Sequence, residues 1–216
     1  MIKGCKLCGI TDPETLTYIV DHPYPPEFVG FIVNWKASSR YVKLDRLKEL
    51  LNIDKKKSKY VAVVVRNDES TLEKIKDLPF DYYQMYDCSP EQIIKIKEKY
   101  NKKIIAALTI ENKEDVKKYK DFENISEIIL FDSKGYEKSM SFDHNLLDEV
   151  EDHIEKMIAG NIKIEDVTNF KNKNYILDVS GSLESSKGVK DINKIDKFLN
   201  TVHNINSWNK YDKKFL

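Results

Sequence analysis

The stretch Tyr60-Val61-Ala62-Val63-Val64-Val65 decides the fold class of this sequence. Its six apolar or aromatic residues follow one another without an alternating polar position, and four of them are valines. A strand with this pattern is buried on both faces, which is typical of a parallel sheet covered on each side. Comparable short runs recur, and we predict strands at residues 2–7, 28–32, 60–65, 82–85, 104–108, 127–131, 154–159 and 175–179.

Segments with helix-start signals lie between these runs. Asp12-Pro13 precedes one apolar helical pattern, and Ser89-Pro90 precedes another. Because strand and helix alternate about eight times with no linker rich in glycine, proline or serine, the sequence predicts a single eightfold parallel β/α (TIM) barrel. We assign residues 1–203 to the barrel and 204–216 to a C-terminal tail. The seventh strand is the least distinct, since the apolar spacing of residues 148–159 also fits a helix.

Charge and composition narrow the class of partner. Lysine and arginine together number 36, as do aspartate and glutamate, so net charge attracts neither nucleic acid nor an anionic membrane. The start lacks a signal peptide's apolar segment, and no run approaches the roughly 20 apolar residues of a membrane span. Three cysteines are too few for a disulfide framework. We therefore expect a cytoplasmic protein, with no nucleic acid and no membrane as partner, that is a monomer or a homodimer.

Cys5 and Cys8 form a C-x-x-C pattern, which in other proteins binds metal or carries out redox chemistry. Residues three apart on a strand point to opposite faces, so this pair cannot easily share one ligand sphere or close a disulfide. Cys88 stands alone, and no second C-x-x-C or pair of histidines completes a zinc site. We expect no metal, and we treat Cys8 as a single candidate at the end of a strand.

Position in the predicted barrel selects further candidates. Catalytic groups of such barrels lie at the carboxyl ends of the strands and in the loops that follow. The residues in those places are Cys8, Arg40, Gln84, Asp132, Gly160, Asn161 and 178–182.

Several motifs resemble a known family. The string Lys6-Leu7-Cys8-Gly9-Ile10-Thr11 resembles the K-[IV]-C-G-[IL]-T opening of the phosphoribosylanthranilate isomerase family of tryptophan biosynthesis. Val29-Gly30-Phe31, followed by Ser38-Ser39-Arg40, is similar to its V-G-F and S-x-R segments. Gln84 and Asp132 fall where the family has its Q-L-H-G glutamine and an aspartate that ends strand six. The string 178–184 (DVSGSLE), with Gly188 and Lys190-Asp191, is similar to D-V-S-S-G-V-E…G-x-K-D.

The resemblance implies an Amadori rearrangement of phosphoribosylanthranilate to an open-chain ketose, without a cofactor. A general acid protonates the furanose ring oxygen, and a general base then takes the proton from C2′. By resemblance Cys8 is the base and Asp132 the acid, so the first must be reachable as thiolate while the second holds a proton near neutral pH. Arg40 is carried over as the partner of the anthranilate carboxylate, for which its planar fork is suited.

The remaining site assignments concern substrate and phosphate. Gln84 and Asp178 are expected to bind substrate, here a small phosphosugar. Barrels of this kind commonly bind phosphate after strands seven and eight, because backbone N–H groups there attract an anion. We expect Gly160, Asn161, Ser180, Gly181 and Ser182 to form that site.

Alternatives stay open at the level of the sequence. Taken singly, Cys8 could be a small buried apolar residue, Asp132 a helix cap or half of an ion pair, and Arg40 a solvated cation. The chain could also be a phosphosugar enzyme of another step, although such enzymes do not pair this cysteine with this aspartate. A third interpretation is a non-catalytic or divergent phosphosugar-binding barrel paralogue.

That third interpretation is suggested by departures from the family pattern. The loop at residues 133–141 (SKGYEKSMS) is shorter than the family's and lacks its glycine-rich segment, and Tyr86-Asp87 replaces the family's histidine and glycine. The tail is a separate feature: Trp208, Tyr211 and Phe215 have helical spacing and could pack on the barrel or on a partner.

Overall fold

The structure, a computed structural model, describes residues 1–133 and 141–212, with side chains in the last helix described as far as residue 207. Eight strands of this part of the chain form a closed parallel barrel in sequence order, and the first strand pairs with the eighth. The predicted fold class is confirmed. The barrel strands are β1 (Gly4–Cys8), β2 (Phe28–Ile32), β3 (Lys59–Val65), β4 (Tyr82–Tyr86), β5 (Lys103–Ile110), β6 (Ile128–Ser133), β7 (Lys156–Ile158) and β8 (Ile176–Val179).

Most connections between the strands are helical. Asp12 caps the first helix through a 2.8 Å bond from the Thr15 N–H, and Ser89 caps the fourth in a capping box, so both predicted helix starts are confirmed. The α-helices are α1 (Pro13–Asp21), α2 (Leu44–Leu51), α3 (Glu69–Ile75), α4 (Pro90–Tyr100), α5 (Lys113–Lys117) and α6 (Ile192–Asp212).

The connections before and after β7 depart from the regular alternation of strand and helix. Here the described chain forms 3₁₀ turns, at His144–Glu149 and Ile164–Phe170, instead of α-helices. A further 3₁₀ turn at Gly181–Leu183 follows β8 and leads into a two-stranded hairpin of β9 (Glu184–Ser186) and β10 (Val189–Lys190). The region 148–159 ends in the predicted seventh strand, which has only three residues.

Buried side chains form two layers. The larger cluster joins the outer faces of the strands to the helices and contains Cys5 and Leu7, while a second cluster fills the barrel and contains Cys8. Successive residues on β1 thus alternate between the layers, as the pleat of a strand requires. The prediction that Cys5 and Cys8 face opposite sides is confirmed.

The last helix, α6, contacts the start of the chain. It runs across the predicted boundary between residues 203 and 204, and Asn206 accepts a 3.0 Å bond from the Ile2 N–H and donates a 2.8 Å bond to the Ile2 carbonyl. The side chains of Trp208, Tyr211 and Phe215, whose helical spacing is compatible with packing on the barrel or on a partner, lie outside the described residues. Within the described chain, no helix is both long enough and apolar enough to cross a membrane.

Candidate active site

A cavity opens at the carboxyl ends of the barrel strands. It holds about 960 Å³ of space, the solvent at its mouth included. Apolar residues such as Trp35, Val63 and Ala159 form part of its wall. Every site residue predicted from the sequence lines it: Cys8, Arg40, Gln84, Asp132, Gly160, Asn161, Asp178, Ser180, Gly181 and Ser182.

Cys8 ends β1 and is 9% exposed, at the floor of the cavity. Burial raises the pKa of its thiol above the ordinary value, because a thiolate loses solvation there, while the nearby ammonium group of Lys6 opposes this increase. Its carbonyl accepts a 2.9 Å bond from the Ser180 hydroxyl, which ties the end of β1 to the loop after β8. Cys8 therefore lies in the cavity with a thiol whose pKa is above its ordinary value.

Asp132, near the end of β6, lies in the same cavity wall. Burial raises the pKa of its carboxyl to about 6, even though hydrogen bonds from Tyr86 and from the Ser133 N–H favour the charged form. The Tyr86 hydroxyl donates to Oδ2 at 2.8 Å, and the Ser133 N–H donates to Oδ1 at 2.8 Å. A carboxyl group with this pKa can hold a proton close to neutral pH.

Tyr86 is a site residue that the sequence analysis did not assign. It ends β4, its hydroxyl also accepts a 3.3 Å bond from the Gln84 amide, and burial raises its pKa well above the ordinary value, so it stays a donor. Asp87, in the family's glycine position, has a φ of 50°, a left-handed conformation that aspartate adopts more readily than most residues. The position of Tyr86 two residues after Gln84 on one strand face was the available signal.

An ion pair with the buried Glu184 holds Arg40, which is itself partly buried. Its Nε and Nη2 donate to the two carboxylate oxygens of Glu184 at 2.5 and 2.9 Å, which leaves Nη1 without a partner among the described residues. Burial alone would raise the pKa of Glu184, but bonds from Arg40 and from the Gly188 N–H lower it to about 2. Gly9 has a φ of 75°, and a Cβ there would lie 2.5 Å from Arg40 Cδ, so only glycine leaves room for this arginine.

Glu184 accepts a further bond from Lys190. This buried ammonium group lies 3.1 Å from Glu184 Oε1 and also bonds the Ser180 carbonyl and hydroxyl, at 3.0 and 3.2 Å. The arginine, the glutamate and the lysine therefore form one network between the loop after β2 and the β9–β10 hairpin. In the sequence Glu184 and Lys190 were only members of a motif, because contacts between distant loops leave no local pattern.

Two polar side chains in the cavity wall keep an acceptor atom available. Asp178 bonds the fully buried Lys6 through Oδ2 at 2.7 Å, while its Oδ1 is buried and has no partner among the described residues. Gln84 Oε1 is likewise buried and has no hydrogen-bond partner among the described residues. Buried acceptors are nearly always hydrogen-bonded, so these two atoms are suited to donors of a bound molecule.

The loops after β7 and β8 meet at one side of the cavity. Gly160 and Asn161 have φ values of 98° and 51°, left-handed conformations that asparagine and glycine tolerate. Ser180 immediately precedes the 3₁₀ turn after β8, and Gly181 and Ser182 are its first two residues. A cavity bordering Asn161 and residues 181–182 is also lined by Glu165 and by three lysines, Lys163, Lys194 and Lys197, so positive charge predominates on this side.

Two further expectations concern the loop after β6 and the binding of a metal ion. The shortened loop predicted at residues 133–141 falls mainly on 134–140, which lie outside the described residues. Across the described part of the chain, no group of three or more His, Cys, Asp or Glu side chains is arranged to hold a metal ion.

Comparison with known proteins is consistent with this geometry. The family model described as N-(5'phosphoribosyl)anthranilate (PRA) isomerase matches residues 5–201. A protein of Agrobacterium fabrum named N-(5'-phosphoribosyl)anthranilate isomerase is 32% identical over 99% of both chains.

Solved structures share the fold. Phosphoribosyl anthranilate isomerase from Thermotoga maritima superposes with a TM-score of 0.83 at 24% identity, over 94% of this chain and all of that one. A phosphoribosyl anthranilate isomerase in complex with reduced 1-(o-carboxyphenylamino)-1-deoxyribulose 5-phosphate superposes with a TM-score of 0.81 at 23% identity, with the same coverage.

Proposed function

The chain belongs to the N-(5'-phosphoribosyl)anthranilate isomerase family, and from this premise we propose that its cavity converts N-(5'-phosphoribosyl)anthranilate to the 1-deoxyribulose 5-phosphate ketose, with Asp132 as general acid and Cys8 as general base. The observation that carries the assignment of roles is the meeting of these two residues in one cavity, at the ends of β6 and β1. One gives up a proton and the other takes one, so the reaction needs no net change in protons.

Ring opening is the step assigned to Asp132. Its protonated carboxyl donates to the furanose ring oxygen, the C1′–O bond breaks, and the anthranilate nitrogen supplies the electron pair that forms a Schiff base. The Tyr86 hydroxyl and the Ser133 N–H hold the two carboxyl oxygens in place. A pKa of about 6 lets a useful fraction of Asp132 carry the proton near neutral pH.

Proton removal from C2′ is the step assigned to Cys8. The thiolate takes this proton, the electrons move toward the iminium nitrogen, and an enolamine forms that tautomerises to the ketose. A high thiol pKa makes the thiolate scarce but strongly basic, which suits a carbon acid. The charges around the sulfur influence the thiol pKa, which determines both how much thiolate is present and how strong a base it is.

Binding of the substrate divides among three groups. We assign the anthranilate carboxylate to the free edge of Arg40, which Glu184 holds in a fixed orientation. Substrate hydroxyl groups are assigned to Asp178 Oδ1 and Gln84 Oε1, the two unpaired acceptors. The phosphate is assigned to the loops of Gly160, Asn161 and residues 180–182, which line the cavity and belong to the region where barrels of this kind bind phosphate through backbone N–H groups.

The experiment for the function is complementation of a bacterial strain lacking the isomerase, together with a turnover assay of the purified protein. We expect growth without tryptophan and conversion of N-(5'-phosphoribosyl)anthranilate to the ketose. A divergent phosphosugar-binding paralogue would bind the ketose but show neither growth nor turnover, and that result would overturn the proposal. A cytoplasmic location and a monomeric or homodimeric state stay predictions of the sequence.

A further inference from the structure

A lysine lies inside the barrel beneath the proposed base. The Lys6 side chain has no exposed surface and does not line the cavity, and its ammonium group forms an ion pair with Asp178, whose side chain is 5% exposed. Burying a charged pair costs solvation that its attraction often fails to recover, and replacing such a pair by apolar side chains of similar size is often neutral or stabilising. Stability therefore does not explain why a lysine is here.

The location of the Lys6 ammonium group suggests a different reason. Residues 6 and 8 of β1 point to the same face, and both side chains reach over Gly30 of β2. A Cβ at Gly30 would lie 2.9 Å from Cys8 Sγ and 3.1 Å from Lys6 Nζ, so the sulfur and the ammonium group share one small space. Glycine at this position of β2 is what makes room for both.

The titratable groups around the sulfur come from five elements. After burial, which raises the pKa of the Cys8 thiol, the Lys6 ammonium is the largest influence and lowers it, while the Asp178 carboxylate raises it. Lys190 of β10 also lowers it. Arg40 and Tyr86 complete the set, from the loop after β2 and from β4. Of the two lysines, Lys6 has the larger effect on the thiol, and neither lysine lines the cavity.

We propose that Lys6 is a positioning residue for the isomerisation: its ammonium group, which shares the space above Gly30 with Cys8 Sγ, stabilises the thiolate, and Asp178 fixes that ammonium group and limits its effect. The need for a thiolate rests on the proposed function. The proposal goes beyond it by naming the positive charge that favours the Cys8 thiolate, and this charge belongs to a residue that does not line the cavity.

The test measures the reactivity of the Cys8 thiol directly. In a Cys5→Ala/Cys88→Ala background Cys8 is the single cysteine of the chain, and its alkylation by iodoacetamide is followed by mass spectrometry from acidic to alkaline pH. Lys6→Met should move the alkylation profile to higher pH, whereas Asp178→Asn should move it to lower pH. Moving the profile by one pH unit changes the alkylation rate about tenfold at a pH well below the thiol pKa. General disturbance of the barrel would not move the profiles of the two variants in opposite directions.

Two further variants keep the test decisive. Lys6→Met leaves Asp178 buried without its partner, so the variant Lys6→Met/Asp178→Asn removes both charges, and its profile should lie at higher pH than that of Asp178→Asn. Lys156→Met removes a buried strand lysine whose described contact is the Glu151 carbonyl, and it should leave the profile unchanged.

Coincident profiles for Asp178→Asn and for the double variant would overturn the role of Lys6, even if the enzyme turned over normally. Absence of turnover in the parent chain, with the opposite movements of the two profiles intact, would contradict the proposed function instead. The two failures are therefore distinguishable.

Discussion

At the scale of single residues, the proposed chemistry depends on the protonation of Asp132 and Cys8. The carboxyl has a pKa of about 6, and burial keeps the pKa of the thiol above its ordinary value, so over the intervening pH range the pair carries one proton. That proton lies mostly on the sulfur, and the productive arrangement, with the proton on Asp132, is a minor fraction. Below about pH 6 both groups are protonated, so the acid limb of kcat/KM belongs to the carboxyl.

Tyr86→Phe should move this acid limb to higher pH. The phenol donates to the carboxylate of Asp132 and so lowers its pKa; without that bond the pKa rises. A hydrogen bond to a charged group contributes about 1.5 kcal/mol, which corresponds to about one pH unit. The measurement is kcat/KM against pH.

Tyr83→Phe is the matched control for that experiment. Tyr83 is the neighbour of Gln84 on the outer face of the same strand, and its hydroxyl is buried without a partner among the described residues. Loss of the Tyr83 hydroxyl should leave the acid limb of kcat/KM at the parental pH. An unmoved limb in Tyr86→Phe would show that Tyr86 does not set the protonation of Asp132.

Arg40 shows how separate elements cooperate in the site. The loop after β2 supplies the arginine, the start of β9 supplies Glu184, and β10 supplies Lys190. None of these contacts is local in sequence, so the arginine could be predicted from its motif but its support could not. The same holds for Lys6 and Asp178, which are 172 residues apart.

Arg40→Lys should raise KM by about tenfold with a smaller change in kcat, because it keeps the charge but loses the fork that binds a carboxylate in both ground and transition states. Glu184→Gln should raise KM in the same direction but less, since it loosens the arginine without removing it. Steady-state kinetics of both variants provide the check.

Arg46→Lys serves as the comparison, because Arg46 lies on α2 and pairs with the exposed Glu49. It should keep parental KM and kcat. Parental values in Arg40→Lys as well would place Arg40 outside substrate binding.

At the scale of the whole molecule, much of the architecture could be predicted because the apolar runs are continuous and the helix caps are local signals. β3 and β5 are recognisable in the sequence, as are the starts of α1 and α4. The 3₁₀ turns on either side of β7 were missed, since short connections lack the length over which helical periodicity can be read. The site residues could be placed because barrel strands deliver their carboxyl ends to one face.

The contacts between charged side chains inside the barrel could not be predicted from sequence patterns. Lys6, Asp132 and Asp178 each sit within an apolar strand, and only closure of β1 against β8 brings the first and the last into contact. Their pKa values follow from this enclosure. The proposed acid and base therefore depend on closure of the barrel as well as on the sequence motifs that contain them.

The most direct test of the central claim is kcat/KM for N-(5'-phosphoribosyl)anthranilate in three variants measured beside the parent chain. Cys8→Ala and Asp132→Asn should each lower it by about 10²–10⁴-fold while the fold and product binding persist, since each removes one partner in proton transfer. Cys5→Ala, which alters the other face of the same strand, should keep parental kcat/KM. Near-parental kcat/KM in folded Cys8→Ala or Asp132→Asn, or a loss in Cys5→Ala equal to that in Cys8→Ala, would contradict the account.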